Sequence, residues 1–370
     1  MKFKLLLVIF LLIGFSSFTQ EIEEPKYKIP NVLRSVEPYG SVRFAFGGNE
    51  NGTGVVDHST RVGVKGEWDF SEGSDYYFFM NAEVGINLSR KNDFVDISSD
   101  PGAPYGKANN AVFARVGLIG IGSPYGNISL GKQWSVHYAA IGDVDTMYLF
   151  GGDAIGVYNA GTDGGSSGTG RADNAVKYVF SKDNFYLGLQ GQFRNISENN
   201  EKFADTYGIA SYYKLNTFKI GASFNKVLDG VIDPTHGEAA IDDEIFSALL
   251  AYSFSDFDFS ITASTFNNHE ITDEGMYYEG WGLEYHFKYN FGKNKEWSVI
   301  HNTSLLKPDD SENTEYVFNR YAFELARRFS KNTLIVAGFR FDNNKLSNGQ
   351  SSDLHTLAIG FYYNFNSPLQ

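Results

Sequence analysis

From Tyr39 to Phe365 the chain keeps producing segments of about ten residues in which apolar and polar side chains alternate. Between Arg61 and Phe70 one parity is Arg61, Gly63, Lys65, Glu67 and Asp69, and the other is Val62, Val64, Gly66, Trp68 and Phe70. Side chains on a strand point alternately to its two faces, so this run has one polar and one apolar face, and a slip of one residue would exchange them. The same rhythm sets Phe185, Leu187, Leu189 and Phe193 against Tyr186, Gly188, Gln190 and Gln192. It sets Trp281, Leu283, Tyr285, Phe287 and Tyr289 against Gly282, Glu284, His286, Lys288 and Asn290, and it ends with Leu357, Ile359, Phe361, Tyr363 and Phe365. A single alternating run fits any half-buried strand. A long series in which the opposite parity stays polar does not fit a soluble core.

The runs divide into sixteen predicted strands, starting near residues 39, 59, 76, 111, 127, 172, 184, 205, 217, 243, 257, 277, 296, 316, 333 and 354. Short connections such as Ser123 to Gly126, Lys182 to Asn184, Ser255 to Asp256 and Ser330 to Asn332 alternate with long polar ones such as Gly47 to His58, Arg90 to Asn110 and Asn343 to Asp353. In hydrocarbon every backbone N–H and C=O must be paired internally, so a spanning sheet has to close on itself. An even strand number, an apolar outer parity, short periplasmic turns and long outer loops are the marks of such a barrel. The prediction is an all-β chain, a transmembrane antiparallel β-barrel of about sixteen strands, wide enough for an aqueous channel. Aromatics gathered at strand ends, as in Tyr76 to Phe79, Tyr212 and Tyr213, and Tyr277 and Tyr278, would form its interfacial girdles.

Residues 1–20 read as a signal peptide, with Lys2 and Lys4 ahead of an apolar run from Leu5 to Phe15 and small residues at Ser17 and Thr19. That run is too short to span a bilayer as a helix, which takes about twenty residues. Residues 21–38, carrying Pro25, Pro30 and Pro38, read as a periplasmic lead, and residues 39–370 as one barrel domain. The absence of Cys excludes disulfides and a lipoprotein anchor. A net charge of −13 argues against a nucleic-acid partner.

One connection breaks the rhythm. From His137 to Gly170 no period holds and Gly is frequent, and loops this long within a regular architecture are usually functional or disordered. It is the third long connection on the outer side, placed where it could fold into the lumen. Arg43, Arg61, Arg115 and Arg171 fall on inward phases of the first, second, fourth and sixth strands, while Lys132 has the opposite phase. Two strand spacings separate Arg61 from Arg115 by roughly 10 Å. Their repulsion at that range is about 0.4 kcal/mol in water and about 2 kcal/mol at an effective dielectric of about 20, which favours nearby acids. Asp143, Asp145 and Asp153 of the long connection could supply them. Arginines in an open, solvated lumen would show the same phase, and the sequence leaves both readings standing.

Arg61-Val-Gly-Val-Lys-Gly-Glu67, Arg115-Val-Gly-Leu, Gly126 to Gln133, Asp145-Thr-Met-Tyr-Leu-Phe-Gly-Gly-Asp153 and Arg171-Ala-Asp-Asn-Ala-Val-Lys-Tyr178 together resemble, in order and spacing, the general porins of Gram-negative outer membranes, of the OmpC/OmpF type. The resemblance covers the first half of the chain. It implies a homotrimer of sixteen-stranded barrels in the outer membrane, in contact with its lipid and lipopolysaccharide, and passive diffusion of ions and small hydrophilic solutes. It puts Arg61, Arg115 and Arg171 on the basic side of a pore constriction and Asp145 on the acidic side. Leu149 departs from the family, which commonly has a second acid there, and Asn366 to Gln370 extend past the usual terminal Phe.

Other functions are less well supported. The histidines at 58, 137, 236, 269, 286, 301 and 355 are scattered, so no nucleophile and base come together and no metal or cofactor is assigned. His286 has inward phase and is expected to be a solvated lumen residue rather than a base. A substrate-specific channel should carry an aromatic track, which parity does not reveal. A plugged structural or adhesive barrel is opposed by Gly280 and Gly282, which suggest open space on the inward face.

Overall fold

The computed structural model describes residues 32–89, 97, 111–158, 162–194, 204–228, 243–309 and 315–366. Among the described residues, seventeen extended segments form one antiparallel sheet. They are β1 (Leu33–Asn49), β2 (Gly52–Asp57), β3 (Arg61–Asp69), β4 (Tyr77–Ile86), β5 (Val112–Ser123), β6 (Gly126–Trp134), β7 (Arg171–Lys182), β8 (Phe185–Gln192) and β9 (Thr206–Leu215). The series continues with β10 (Phe218–Val227), β11 (Glu244–Phe254), β12 (Phe257–Ile271), β13 (Tyr277–Phe291), β14 (Trp297–Pro308), β15 (Phe318–Arg328), β16 (Thr333–Asp342) and β17 (Thr356–Phe365). β2 and β3 both pair with β1, through Phe44↔Asp57 to Asn49↔Gly52 and Leu33↔Trp68 to Ser41↔Arg61, so they are two parts of one wall strand. The wall therefore has sixteen strands. Across the break the ladder is kept by His58 N donating to the Arg43 carbonyl at 3.0 Å and Arg43 N donating to Thr60 Oγ1 at 3.0 Å.

The sheet closes where β1 meets β17, from Gly40↔Phe365 to Gly48↔Leu357. Except for the first, every predicted strand start falls within two residues of an observed one. β1 begins at Leu33 and not at Tyr39, so residues 33–38 of the expected lead are paired wall. Pro38 suggested a break, but this end of β1 pairs with β3 alone, since pairing with β17 starts at Gly40. A strand with one open edge tolerates proline. The expected signal peptide and residues 21–31 lie outside the described residues, as does nearly all of the 90–110 connection.

The turns at one rim are tight because local chemistry allows them. Lys182↔Phe185, Leu215↔Phe218 and Phe254↔Phe257 leave two-residue loops, and Asp183, Asn216 and Ser255 take φ of 53°, 50° and 55°. That left-handed conformation is what hairpin turns matching strand twist require, and short polar side chains bear it best.

Burial is inverted relative to a soluble protein. On β11 the exposed side chains include Phe246 at 48 % and Leu250 at 44 %, while Ser247 between them is fully buried. Thr262, Ser264, Glu284, Asn302 and Glu324 are buried on the strands that follow. An apolar skin over a polar covered face suits a sheet whose outside meets hydrocarbon. Among the described residues no helix is long and apolar enough to cross a membrane. Replacing Leu250 with Arg puts a charge on the skin near the middle of β11. The expected cost is about 2–4 kcal/mol of unfolding free energy, measured by denaturant titration in liposomes.

Candidate functional site

The connection from β6 to β7 gets its shape from the wall. It opens with the short helix α1 (Val136–Ala140), whose N-cap Ser135 accepts from Tyr138 N at 2.8 Å, and then a 3-10 turn at Gly142–Val144. Buried backbone must find partners, and here the polar side chains of the covered face provide them. Glu324 of β15 accepts from the backbone N–H groups of Tyr148, Leu149 and Phe150 at 2.8, 2.8 and 3.0 Å. Glu284 of β13 accepts from Ala154 N at 2.9 Å. Further along, Gln192, Gln190 and Asn225 donate to the carbonyls of Gly165, Gly168 and Ser167.

Apolar patches on the covered face meet the same connection. Leu149 and Phe150 join a buried cluster with Ala322, Leu334, Val336 and Tyr362. Val136, Ala140, Ile155 and Val157 join another with Ala210 and Leu249. Leu149, where the resemblance leads one to expect an acid, is fully buried in a notch over two glycines. A Cβ at Gly338 would come within 3.1 Å of it and one at Gly360 within 2.9 Å. A Cβ at Gly282 would collide with the Ala154 carbonyl, so this glycine makes room for the connection and not for open space.

A cavity of about 240 Å³ lies where the connection faces the first strands. Arg43 of β1, Arg61 and Lys65 of β3, Glu83 of β4 and Arg115 of β5 line it, together with Asp145 of the connection. Arg115 Nε donates to Glu83 Oε1 at 2.7 Å, and Arg61 Nε lies 3.8 Å from the other oxygen. Arg43 donates to Ser41 Oγ at 2.7 Å and lies over the Tyr362 ring at 5.1 Å. Asp145 accepts from Met147 N at 2.9 Å and Gly152 N at 3.1 Å, which closes the turn it starts. Its carboxyl lies 3.8 Å from His286 Nδ1. Burial pushes the Asp145 carboxyl above its usual range; His286 opposes this and Glu284 adds to it.

The other expected residues lie elsewhere. Arg171 is fully buried behind the Trp134 ring, 4.7 Å from its centroid and 3.8 Å from Asp163, and does not line the cavity. Asp143 pairs with Lys219 beside a second cavity of about 400 Å³. Asp153 pairs with Arg320 at 3.1 Å. His286 is not a solvated residue: it is buried, with Nε2 2.5 Å from Glu284. Lys132 is held by Asp163 at 3.0 Å and Asp173 at 2.7 Å, beside an irregularity in the β6–β7 register between Gly131 and Gln133.

Residues that parity did not single out complete the site. Glu83, between two arginines, had only its inward phase to mark it. Trp134, Tyr138 and Tyr158 also line the cavity, with Trp134 and Tyr138 stacked at 4.0 Å. They lie at or beyond the end of β6, where alternation stops. Among the described residues no group of three or more His, Asp or Glu side chains could hold a metal ion.

A family profile described as Gram-negative porin matches residues 12–368. Among solved structures, OmpF of Salmonella typhi in complex with daunomycin aligns at 18 % identity and a TM-score of 0.70, over 89 % of this chain and 97 % of that one. The anion-selective porin from Comamonas acidovorans aligns at 16 % and 0.66, over 90 % and 99 %. OmpT of Vibrio cholerae, an outer membrane protein in trimer form, aligns at 15 % and 0.65, over 90 % and 99 %. At these identities the likeness is one of fold. Comparison with curated protein sequences gives no match.

Charged acceptors of this kind contribute about 1.5–3 kcal/mol per hydrogen bond. Glu324→Ala is therefore expected to speed amide hydrogen exchange at Tyr148, Leu149 and Phe150 by at least about a hundredfold, equivalent to about 2.8 kcal/mol of local opening. Glu324→Gln, which keeps one acceptor oxygen, should fall between this variant and the parent.

Proposed function

The chain belongs to the Gram-negative porin family, and on that premise we propose a water-filled pore for passive diffusion of ions and small hydrophilic solutes, narrowed by its β6–β7 connection. It is an outer-membrane porin channel with the closed barrel of its structural neighbours. The observation that carries the finer reading is the cavity between the first wall strands and the connection, where Arg43, Arg61 and Arg115 gather with Asp145. The covered face is then the lumen wall, and the connection is a bar fastened across it by Glu324 and Glu284. Charged side chains at such a narrowing select among ions and polar solutes without any covalent step.

Part of the Asp145 charge is taken up within its own loop, where the carboxylate accepts from the amides of Met147 and Gly152. The arginines are the stronger determinants. We further propose a homotrimer anchored in outer-membrane lipid and lipopolysaccharide, supported by the trimer form of one structural neighbour. The leader at residues 1–20 would deliver the chain to the membrane.

Purified protein in a planar bilayer under a salt gradient tests the pore. Stepwise open channels are expected, and the double variant Arg43→Gln/Arg61→Gln should move the reversal potential toward cations. Absence of steps from well-folded protein would overturn the proposal. Native mass spectrometry in mild detergent should give the mass of three chains, and a monomer would count against the trimer.

A further inference from the structure

We propose that His269 positions the narrowing as a charged imidazolium, and that loss of its proton at alkaline pH loosens the β6–β7 connection and disturbs the open channel. This rests on the pore reading and goes beyond it, since a connection held by Glu324 and Glu284 alone would have no alkaline response.

Three buried histidines also grip the connection. His58 Nε2 lies 3.1 Å from the Leu149 carbonyl oxygen, His137 Nε2 2.8 Å from that of Ile155, and His269 Nε2 2.9 Å from that of Gly156. The last two are consecutive carbonyls, and Ile155 and Val157, on either side of Gly156, line the cavity at the narrowing. Gly156 has φ of 67°, and a Cβ there would collide with Ile245 and come within 3.1 Å of His269 Nε2. Only glycine takes this left-handed conformation without strain and lets the backbone approach the ring so closely.

The second ring nitrogen distinguishes them. His137 Nδ1 is 2.7 Å from Ser223 Oγ, a hydroxyl that can donate, so a neutral ring with its proton on Nε2 satisfies both contacts. His58 Nδ1 also faces a hydroxyl, that of Tyr362, at 3.3 Å. His269 Nδ1 instead lies 2.7 Å from Asp243 Oδ1. A carboxylate and a carbonyl only accept, and a neutral imidazole has one N–H for the two of them. Both hydrogen bonds form only when both nitrogens carry protons. Among the described residues, the titratable groups around the ring are Asp243 ahead of β11, Glu270 on β12, Tyr278 opposite Glu270 on β13, and His137 on α1. The two carboxyls favour the cation. The outward positions at this level are Lys226, Glu244 and Asn267, so the site lies past the apolar skin, toward the outer rim.

Magnetic resonance of nitrogen-labelled histidine rings tests the charge, with the His269 signals identified by their loss in His269→Gln. At about pH 8, well above the ordinary histidine value of about 6.5, His269 should carry protons on both nitrogens and His137 on one. Single-channel current tests the consequence. Between about pH 7 and about pH 10, where an imidazolium of this kind gives up its proton, the parent should pass from steady open steps to noisy ones. Asp243→Asn, whose amide donates to Nδ1 and so lets a neutral ring keep the Gly156 carbonyl, should lose that transition and stay steady throughout. A single proton on His269 at about pH 8 would overturn the charged clamp. A parent that stays steady, or the same transition in Asp243→Asn, would overturn the link from His269 to permeation while leaving the pore intact. No channel steps at neutral pH would overturn the pore reading and that link together, and the ring protons would still decide the charge.

Discussion

The structure depends on a single constraint: no backbone polar group on a wall strand can be left without a partner in hydrocarbon. Closure follows, and β1 carries most of it. One stretch of β1 pairs with β17, another with β3 and a third with β2, so the first strand is both seam and splint for an interrupted neighbour. Once the outer parity is given over to lipid, the other parity must face whatever fills the barrel. That parity is rich in Ser, Thr, Asn, Gln and Glu, and the buried backbone of one long connection uses many of these groups.

This division of labour explains how a mostly irregular segment is held in one arrangement. Glu324 takes three successive amides, Glu284 a fourth, and Leu149 fills the notch left by Gly338 and Gly360. The N–H groups that these carboxyl oxygens accept from are satisfied without water. The fasteners are spread over several wall strands. Glu324, Glu284 and Leu149, which fasten the connection, are not among the side chains that line the cavity.

The wall was legible in the sequence because a period of two residues is a strong signal, and lipid on one side keeps it unbroken over many strands. Pro38 misled because proline marks a break only where both strand edges must be paired. Parity also picked out Arg43, Arg61 and Arg115, which do gather with Asp145. It failed for Arg171, because phase gives the face of a strand and not what will cover it; the Trp134 ring lies over that guanidinium. Asp143 and Asp153 could not be sorted from Asp145 because an aperiodic connection has no phase to read. His286 and Gly282 were misread for a related reason: the space beside them is taken by Asp145 and Ala154 of the β6–β7 connection.

The seam has a further consequence, for the order in which the molecule can be made. Gly40 and Phe365 are adjacent in the sheet and lie at opposite ends of the chain. Every other neighbouring pair of wall strands is joined by a local hairpin or loop, but this last pairing has no local route. Loop-closure entropy must be met in full before it gives any return, which makes such topologies slow to complete. Until β17 arrives, β1 and β16 each present an unpaired edge that can template aggregation. An exported chain of this design is therefore exposed to the wrong partners until its final strand is synthesised and delivered, and a chain missing that strand gains little from the fifteen already built.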